Sequence, residues 1–366
     1  MIPLFKVMMS EKVREPLIET LYSGYIGQGP KVTEFEIALS NKFNNPYGLT
    51  TSAGTHALHL ALRLSGVGPG DEVITTPLTC TATNFPILMQ GADIVWADVK
   101  EDFNIDPLDV ERKITEKTKA IICVHWGGYP CDMKELHDIA VKHDIKLIED
   151  AAHTYGSTYC KTIIGDCKYS DFVMMSFQAI KHLTTVDGGV LFCRNYSDYE
   201  RGKLLRWYGI NRESLRRDMR CEEEILEYGY KYHMSDVCAT IGLYNMSLAD
   251  ENVKKCQENA IYYNKELSNI SGVNLTQTKD DRESSYWLYS LLTKDRDGFS
   301  KMMTDSGIHV SKVHERNDIH ACVRDFECDS LPVLNSINKE LISIPVGSWV
   351  DEESREYIAQ RISEGW

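Results

Sequence analysis

Lys181, a lysine that follows a buried strand, is the residue of this chain whose position most favours covalent chemistry. Its segment reads SFQAIKHL at residues 176–183, after the apolar run of residues 171–175. A partly desolvated lysine at a strand exit has a lowered pKa, and its neutral amine can form a Schiff base with an aldehyde. A lysine in a loop is usually a surface charge, so the prediction depends on the neighbouring motifs.

Two further segments could bind a charged ligand. Residues 147–153 read LIEDAAH, so Asp150 ends an apolar run, and open α/β sheets bind ligands at the carboxyl ends of strands. Its carboxylate could pair with a protonated ring nitrogen, although a solvated strand-end carboxylate is the alternative. Residues 51–58 read TSAGTHAL, a polar turn that opens a helix and could accept a phosphate; an ordinary capped helix is the alternative.

The elements that position these segments alternate between short apolar runs and amphipathic stretches. This alternation predicts a mostly parallel sheet with helices on both faces. Because several runs are apolar at successive residues, their strands should be buried on both faces. The predicted strands are residues 72–76, 93–97, 120–124, 146–149, 171–175 and 190–193, and the predicted helices are residues 32–43, 55–64, 132–143 and 198–207.

The last third of the chain has a different pattern. After the segment GYKYHMSD at residues 229–236, a long helix is predicted to begin near Ser235 and to reach Leu267 with interruptions. Weaker alternation follows, so we expect a large domain at residues 1–240 and a smaller α+β domain at residues 241–366. The later elements are predicted as strands at residues 287–292, 307–310 and 342–344 and a helix at residues 352–363.

Composition excludes several classes of protein. The 366 residues carry a net charge of -14, and no Lys/Arg-rich run is present, which disfavours nucleic-acid binding. No apolar run reaches the roughly 18 residues of a membrane span, and the amino terminus lacks the apolar region of a signal peptide. The 11 scattered cysteines form no CxxC motif, which predicts reduced thiols, a cytoplasmic location and no metal site.

Taken in order, these motifs resemble the DegT/DnrJ/StrS family of sugar aminotransferases, which are pyridoxal-phosphate (PLP) enzymes of fold type I. The resemblance extends from Ile2 to about residue 350. It rests on IPL at residues 2–4, SGYIGQGP at 23–30, FE at 35–36, GPGDEV at 68–73, VHWGG at 124–128, EDAA at 149–152 and SFxxxK at 176–181.

The resemblance implies a role for each matching residue. Lys181 would form the Schiff base with PLP and move the proton, and Asp150 would contact the pyridine nitrogen. Ala152 would pack on one face of the ring. His153 stands where the family usually has a glutamine near the ring hydroxyl, and a histidine can still donate a hydrogen bond there. The implied phosphate cradle consists of Gly54, Thr55 and Ser176.

Four further positions depart from the family pattern. Cys80 occupies the place of an aromatic residue that usually stacks on the other ring face, so another side chain could cover that face. Lys231 replaces an asparagine that reaches the cofactor phosphate of the neighbouring subunit, which a lysine could do as a point charge. His233 replaces a common arginine, and Asp187 a common glutamate.

For the substrate, the resemblance points to residues 313–320. His314 would contact the sugar and Arg316 the diphosphate of a nucleotide-linked sugar, although a polar surface loop is an equal alternative. Tyr25 is a further candidate for contact with the substrate or with a partner subunit. The family also implies a homodimer with shared active sites.

The function implied by the resemblance is transfer of an amino group from L-glutamate to a 4-keto-6-deoxy sugar linked to GDP, dTDP or UDP. A 3-keto sugar is the near alternative. Related PLP-dependent sugar dehydratases carry histidine in place of the Schiff-base lysine, so Lys181 favours transamination. An NAD-dependent oxidoreductase would need a GxGxxG turn, which the chain lacks, and a non-catalytic PLP-binding protein remains a third class.

Overall fold

The computed structural model describes residues 1–213, 224–326 and 330–366. The strands are β1 Gly48–Thr51, β2 Glu72–Thr75, β3 Asp93–Trp96, β4 Thr118–Val124, β5 Lys146–Asp150, β6 Thr158–Tyr159, β7 Thr162–Ile163, β8 Phe172–Ser176, β9 Gly189–Cys193, β10 Val273–Leu275, β11 Arg282–Glu283, β12 Tyr289–Thr293 and β13 Leu341–Ile344. The α-helices are α1 Arg14–Tyr22, α2 Pro30–Phe43, α3 Gly54–Leu64, α4 Thr81–Met89, α5 Pro107–Arg112, α6 Met133–His143, α7 Tyr196–Leu205, α8 Asp236–Leu267, α9 Arg296–Asp305, α10 Pro332–Glu340 and α11 Glu352–Ser363.

A seven-stranded sheet forms the centre of the molecule, with the strand order β1-β9-β8-β5-β4-β2-β3. Strand β9 runs antiparallel to both of its neighbours, and the other adjacent pairs are parallel. Two small sheets accompany it, one of β11, β6 and β7 and one of β10, β12 and β13. The expected α/β class and mostly parallel sheet are therefore confirmed.

Both faces of the central sheet are covered, which explains the continuous apolar runs. In β4 and β8, Ile122 and Phe172 enter a core with helix α3, whereas Ile121 and Val173 enter a second core with α2 and α6. Alternate residues of a strand point to opposite faces, so each of these strands must be apolar at successive positions.

Helix α8 is one continuous helix of 32 residues, without the predicted interruptions. Ser235 caps it as predicted, because its side chain accepts a hydrogen bond from the backbone N–H of Cys238. Along α8, Val253 packs in a core of the central sheet and Tyr263 in the core of the C-terminal sheet. The predicted boundary at residues 240/241 lies near the start of this helix, and the division into two domains stays a prediction.

Among the later elements, one prediction is wrong. Residues 307–310 form no strand; Ile308 makes only an isolated bridge with Ile2. The predicted strand at residues 287–292 begins at Tyr289, so Trp287 precedes it. Helix α11 has the predicted bounds.

The described part of the chain contains no helix long and apolar enough to cross a membrane. Within the same residues, no cluster of His, Cys, Asp or Glu side chains could hold a metal ion. The nine described cysteines are free thiols, and Cys221 and Cys328 lie outside the described residues.

Candidate active site

One edge of the central sheet collects the residues that the sequence singled out. Asp150 is the last residue of β5, and Ser176 is the last residue of β8, its parallel neighbour. Across the antiparallel strand β9, Gly189 pairs with both Ser176 and Thr51. The chain therefore passes from Thr51 into helix α3 at the same edge, where open α/β sheets bind ligands.

The turn before α3 approaches the backbone of β9 closely. A Cβ atom added to Gly189 would lie 2.8 Å from both N and Cα of Gly54. A Cβ atom added to Gly54 would lie 3.0 Å from Cβ and 3.2 Å from Oγ of Ser176. The contact at Gly189 is with backbone atoms and admits only glycine, and the amino end of α3 lies directly beside the hydroxyl of Ser176.

This helix end is suited to an anion. Ala53 is its N-cap residue and makes no side-chain hydrogen bond to the first turn. The first N–H groups of an α-helix lack partners within the helix, and its dipole is positive at this end. Gly54, Thr55 and Ser176 thus form a cradle that fits a phosphate group.

Asp150 is buried, with 5% of its surface exposed. Thr83 donates a hydrogen bond of 2.7 Å to Oδ2, and the N–H of Ala152 donates one of 3.1 Å to Oδ1. Burial raises the pKa of Asp150, while these two donors and the charge of Lys181 act in the opposite direction. The carboxylate is thus fixed in position at a place where a cationic partner would stabilise its charge.

Lys181 lies in the loop after β8, and its backbone N–H donates to the carbonyl of Gln178 at 2.9 Å. Burial lowers the pKa of its amine to about 8, and the charges of Asp150 and Cys80 partly offset this effect. About a tenth of the amine is therefore neutral at pH 7, far more than for an ordinary lysine, and the neutral form is the one that acts as a nucleophile. The Nζ atom lies 3.8 Å from the centre of a ring of Trp287.

His153 and His314 stand beside this lysine. His153 stacks on Trp287 with ring centres 3.8 Å apart, and its ring is parallel to that of His314 at 6.2 Å. Burial lowers the pKa of His314 to about 4 and that of His153 well below its usual value, and the charge of Lys181 adds to both shifts. Nδ1 of His153 and Nε2 of His314 are buried without a hydrogen-bond partner among the described residues.

Cys80 and Ala152 lie in loops at the same sheet edge. Cys80 is the N-cap residue of α4, and Ala152 follows Asp150 by two residues. Both side chains are partly buried. Because Cys80 acts electrostatically on Lys181, the cysteine lies within the same site.

Three predicted site residues make no contact with Lys181 of their own chain. Tyr25 is 65% exposed, and Lys231 is also exposed. Arg316 is engaged by Asp318, with Nε–Oδ1 and Nη2–Oδ2 distances of 2.7 and 2.5 Å, and it also donates to Asn335. Its guanidinium would have to exchange some of these partners to bind a diphosphate, so its role stays a prediction.

Sequence reasoning missed three residues that the fold adds to the site. They are Trp287 beside Lys181, Thr83 on Asp150, and Asn317, whose amide donates to the carbonyl of Thr79 at 2.8 Å. Asn317 lies in the predicted substrate segment, and Trp287 stood out only as the start of a strand. No local pattern identifies Thr83, which lies 67 residues before its partner.

The residues present fit PLP, the cofactor that the resemblance implies. The glycine-lined end of α3 matches a phosphate, the buried carboxylate of Asp150 matches a protonated ring nitrogen, and the amine of Lys181 matches an aldehyde. The unpartnered Nδ1 of His153 is available to a polar group of the ring or of the substrate.

Comparison with known proteins agrees with this geometry. The model of the DegT/DnrJ/EryC1/StrS aminotransferase family matches residues 8–363. GDP-perosamine synthase of Escherichia coli O157:H7 is 30% identical over 369 residues, which cover 99% of this chain and 98% of that protein. The UDP-4-amino-4,6-dideoxy-N-acetyl-beta-L-altrosamine transaminase of Campylobacter jejuni is 33% identical over 281 residues, 76% of this chain and 73% of that protein.

Solved structures have the same fold. Sugar aminotransferase CalS13 from Micromonospora echinospora superposes with a TM-score of 0.96 at 38% identity, covering 100% of both chains. The PLP form of Spr1654 from Streptococcus pneumoniae superposes with a TM-score of 0.91 at 27% identity, covering 99% of this chain and 98% of that one.

Proposed function

Because the chain belongs to the DegT/DnrJ/EryC1/StrS aminotransferase family, we propose that it moves the amino group of L-glutamate to C4 of a nucleoside-diphosphate-linked 4-keto-6-deoxy sugar. The chain is a PLP-dependent sugar aminotransferase that acts on nucleotide sugars. The overall reaction balances, since glutamate becomes 2-oxoglutarate and the keto sugar becomes an amino sugar. The choice of C4 and of a 6-deoxy sugar is supported by the 4-amino-4,6-dideoxy product in the name of the Campylobacter relative.

The observation that carries the proposal is the buried amine of Lys181, with its lowered pKa, at the sheet edge that also holds Asp150. When bound, PLP supplies an aldehyde that takes up an amine and a ring that spreads negative charge. Lys181 would hold the cofactor covalently and move a proton at Nζ, since a pKa near 8 suits both directions of transfer.

The other residues bind and orient. Asp150 would hold the charge of the ring nitrogen, and the phosphate would bind Gly54, Thr55 and Ser176. His153 and His314 are buried and neutral, so each presents an imidazole nitrogen that can hydrogen-bond a sugar hydroxyl without adding charge beside Lys181.

We further propose a homodimer in the cytoplasm, in which Lys231 reaches the phosphate site of the other protomer. The support is the exposure of Lys231 and of a group of apolar side chains near the amino terminus, which a second copy would cover. These side chains are Ile18, Leu21, Tyr22, Tyr25 and Ile26. Sedimentation equilibrium measures the mass in solution, and a monomer under assay conditions would contradict the proposal.

The first test concerns Lys181. The protein purified with PLP should show a visible absorbance band that L-glutamate bleaches, and Lys181→Ala should lack both the band and the activity. Lys117→Ala, which changes an exposed lysine on a turn before β4, is the matched control and should behave as the wild type. A Lys181→Ala variant that keeps the band and transaminates would refute this assignment.

The second test concerns the substrate. GDP-, dTDP- and UDP-linked 4-keto-6-deoxy sugars, and the corresponding 3-keto sugars, are incubated with the enzyme and 15N-labelled glutamate. Mass spectrometry of the nucleotide sugars should detect 15N in a product from one of the 4-keto substrates. Incorporation only into a 3-keto sugar would overturn the choice of C4, and release of a deoxygenated sugar without 15N would indicate a dehydratase.

A further inference from the structure

Trp287 lies at the wall of the site and takes no part in the proposed transamination. It is buried, with 6% of its surface exposed, and it lies two residues before the start of β12 at Tyr289. Two of its contacts reach the loop that carries the catalytic lysine. Its indole N–H donates to the carbonyl of Ile180 at 3.0 Å, and Nζ of Lys181 lies 3.8 Å from its ring centre.

The indole ring is itself held by its neighbours. His153 stacks on it at 3.8 Å with an interplanar angle of 15°, and Phe5 stacks at 4.9 Å with an angle of 29°. The next residue, Leu288, donates its backbone N–H to the carbonyl of Gly127 at 3.2 Å. The ring therefore offers a fixed surface to the amine. Contact with Lys181 does not require the indole to lose further conformational freedom.

We propose that Trp287 is a positioning residue that keeps the amine of Lys181 in the site whenever it is not bonded to the cofactor. The indole N–H fixes the turn at Ile180, and the ring face binds the side-chain ammonium. An amino-group transfer would free this lysine when the amino donor enters and bond it again when the aminated product leaves, so a defined resting place beside the cofactor is needed for its return. The inference rests on the proposed role of Lys181.

The charged groups around Lys181 are few, so the ring of Trp287 can contribute to the stability of its ammonium form. Asp150 and Cys80 favour its charged form, and burial opposes it. The surrounding histidines add no charge, because burial lowers the pKa values of His153, His182 and His314 and leaves all three neutral. An aromatic face attracts a cation, and this attraction is larger where the cation is desolvated. The ring of Trp287 should therefore hold the pKa of Lys181 above the value that burial alone would give.

The two contacts can be separated by substitution. Trp287→Phe keeps an aromatic face and removes the N–H donor, whereas Trp287→Leu removes both. Trp349→Leu is a matched control, because the indole of Trp349 also donates to a backbone carbonyl, that of Pro3, at 2.8 Å, and its ring packs against the core of the C-terminal sheet.

The ring contact is tested on the full-length protein after removal of the cofactor. Competitive acetylation with acetic anhydride between pH 6 and 11, read by mass spectrometry of the peptide that contains Lys181, gives the pKa of its amine. We expect a pKa about one unit lower in Trp287→Leu, which makes labelling at pH 7 roughly fivefold faster. Trp287→Phe and Trp349→Leu should stay close to the wild type. An unchanged pKa in Trp287→Leu would overturn the proposal.

The N–H contact is tested by amide hydrogen exchange in the same protein samples. The turn at residues 178–182 should exchange faster in both Trp287 variants and at the wild-type rate in Trp349→Leu. Should Trp287→Leu fail to fold, Trp287→Phe still tests the proposal. Unchanged exchange in Trp287→Phe would show that the indole N–H does not hold the turn at Ile180. Neither measurement depends on transamination, so a failure here is distinct from a failure of the Lys181→Ala test.

Discussion

At the scale of single residues, the orientation of Asp150 depends on a chain of hydroxyl groups. Thr83 donates to Oδ2 of Asp150 at 2.7 Å and shares a hydrogen bond of 2.7 Å with Thr79. The backbone carbonyl of Thr79 in turn accepts from the amide of Asn317. The carboxylate of Asp150 is therefore linked to the segment that carries His314, the predicted sugar contact.

Replacing Thr83 with valine should weaken cofactor binding. The substitution keeps the shape of the side chain and removes the donor that stabilises the ionised carboxylate, so the pKa of Asp150 should rise further above its usual value. A hydrogen bond to a charged group contributes about 1.5 kcal/mol, so we expect the Kd for PLP to rise about tenfold, as measured by absorbance titration.

Thr83→Ser is the matched control, since it keeps the hydroxyl. The defect of the valine variant should also increase as the pH is lowered, because the carboxylate protonates at a higher pH than in the wild type. Equal affinities of the valine and serine variants at all pH values would show that the Thr83 hydroxyl does not stabilise the carboxylate.

At the scale of elements, the phosphate cradle depends on the contact between the amino end of α3 and the start of β9. Gly189 belongs to β9, pairs with Thr51 and Ser176, and lies against the backbone of Gly54. The neighbouring strands thus fix the position of the helix end. Because the contact joins backbone to backbone, no flexible side chain can move to accommodate an added group.

Gly189→Ala should therefore lower both the stability of the fold and the affinity for PLP. The new Cβ would lie 2.8 Å from N and Cα of Gly54 and 2.9 Å from the carbonyl oxygen of Met175, which are all backbone atoms. We expect a loss of about 2 kcal/mol in the free energy of unfolding in urea and weaker binding of PLP, because α3 must move away from Ser176.

Gly68→Ala is the control for this substitution, since an added Cβ there meets no atom within 4 Å. It should leave both the stability and the affinity for PLP close to wild type. A stable Gly189→Ala protein with unchanged affinity for PLP would mean that the cradle tolerates a displaced helix.

At the scale of the whole molecule, helix α8 connects the core of the central sheet with the core of the C-terminal sheet. Histidines are buried in a neutral state next to this framework. His182 receives a hydrogen bond from Asn252 of α8, and His59 lies on α3 against Tyr232 at 2.8 Å. Burial lowers the pKa values of both to about 4.

Stability should therefore fall in mild acid. The unfolded chain binds protons on these histidines near pH 6.5, whereas the folded chain binds them only near pH 4. The contribution of each is fully present above pH 6.5 and decreases as the pH falls toward 4. Urea unfolding at a series of pH values should show the decline in this window.

His59→Gln gives the matching test, since glutamine does not titrate. The variant should lose less stability than the wild type between pH 6.5 and 4, and the two curves should run parallel above pH 7. Equal slopes in the acid window would mean that His59 is not held neutral in the fold.

The sequence by itself determined the fold class and the place of the central chemical groups. Strands buried on both faces must be apolar at successive residues, and Asp150, Ser176 and Lys181 follow such runs directly, so a local pattern was sufficient to find them. The resemblance to the family then linked these groups to PLP; the family match over residues 8–363 confirmed the family and its cofactor, and the roles of the individual residues stay predictions.

Only the tertiary structure decided which side chains support these groups. Trp287 reaches the Lys181 loop across 107 positions of sequence, and Asn317 reaches Thr79 across 238. The pairing of Arg316 with Asp318 was equally unseen, although only two residues separate them, because the choice between a carboxylate partner and a diphosphate depends on side-chain orientation. Periodicity reports the face of an element that is buried, whereas these contacts depend on how separate elements pack against one another.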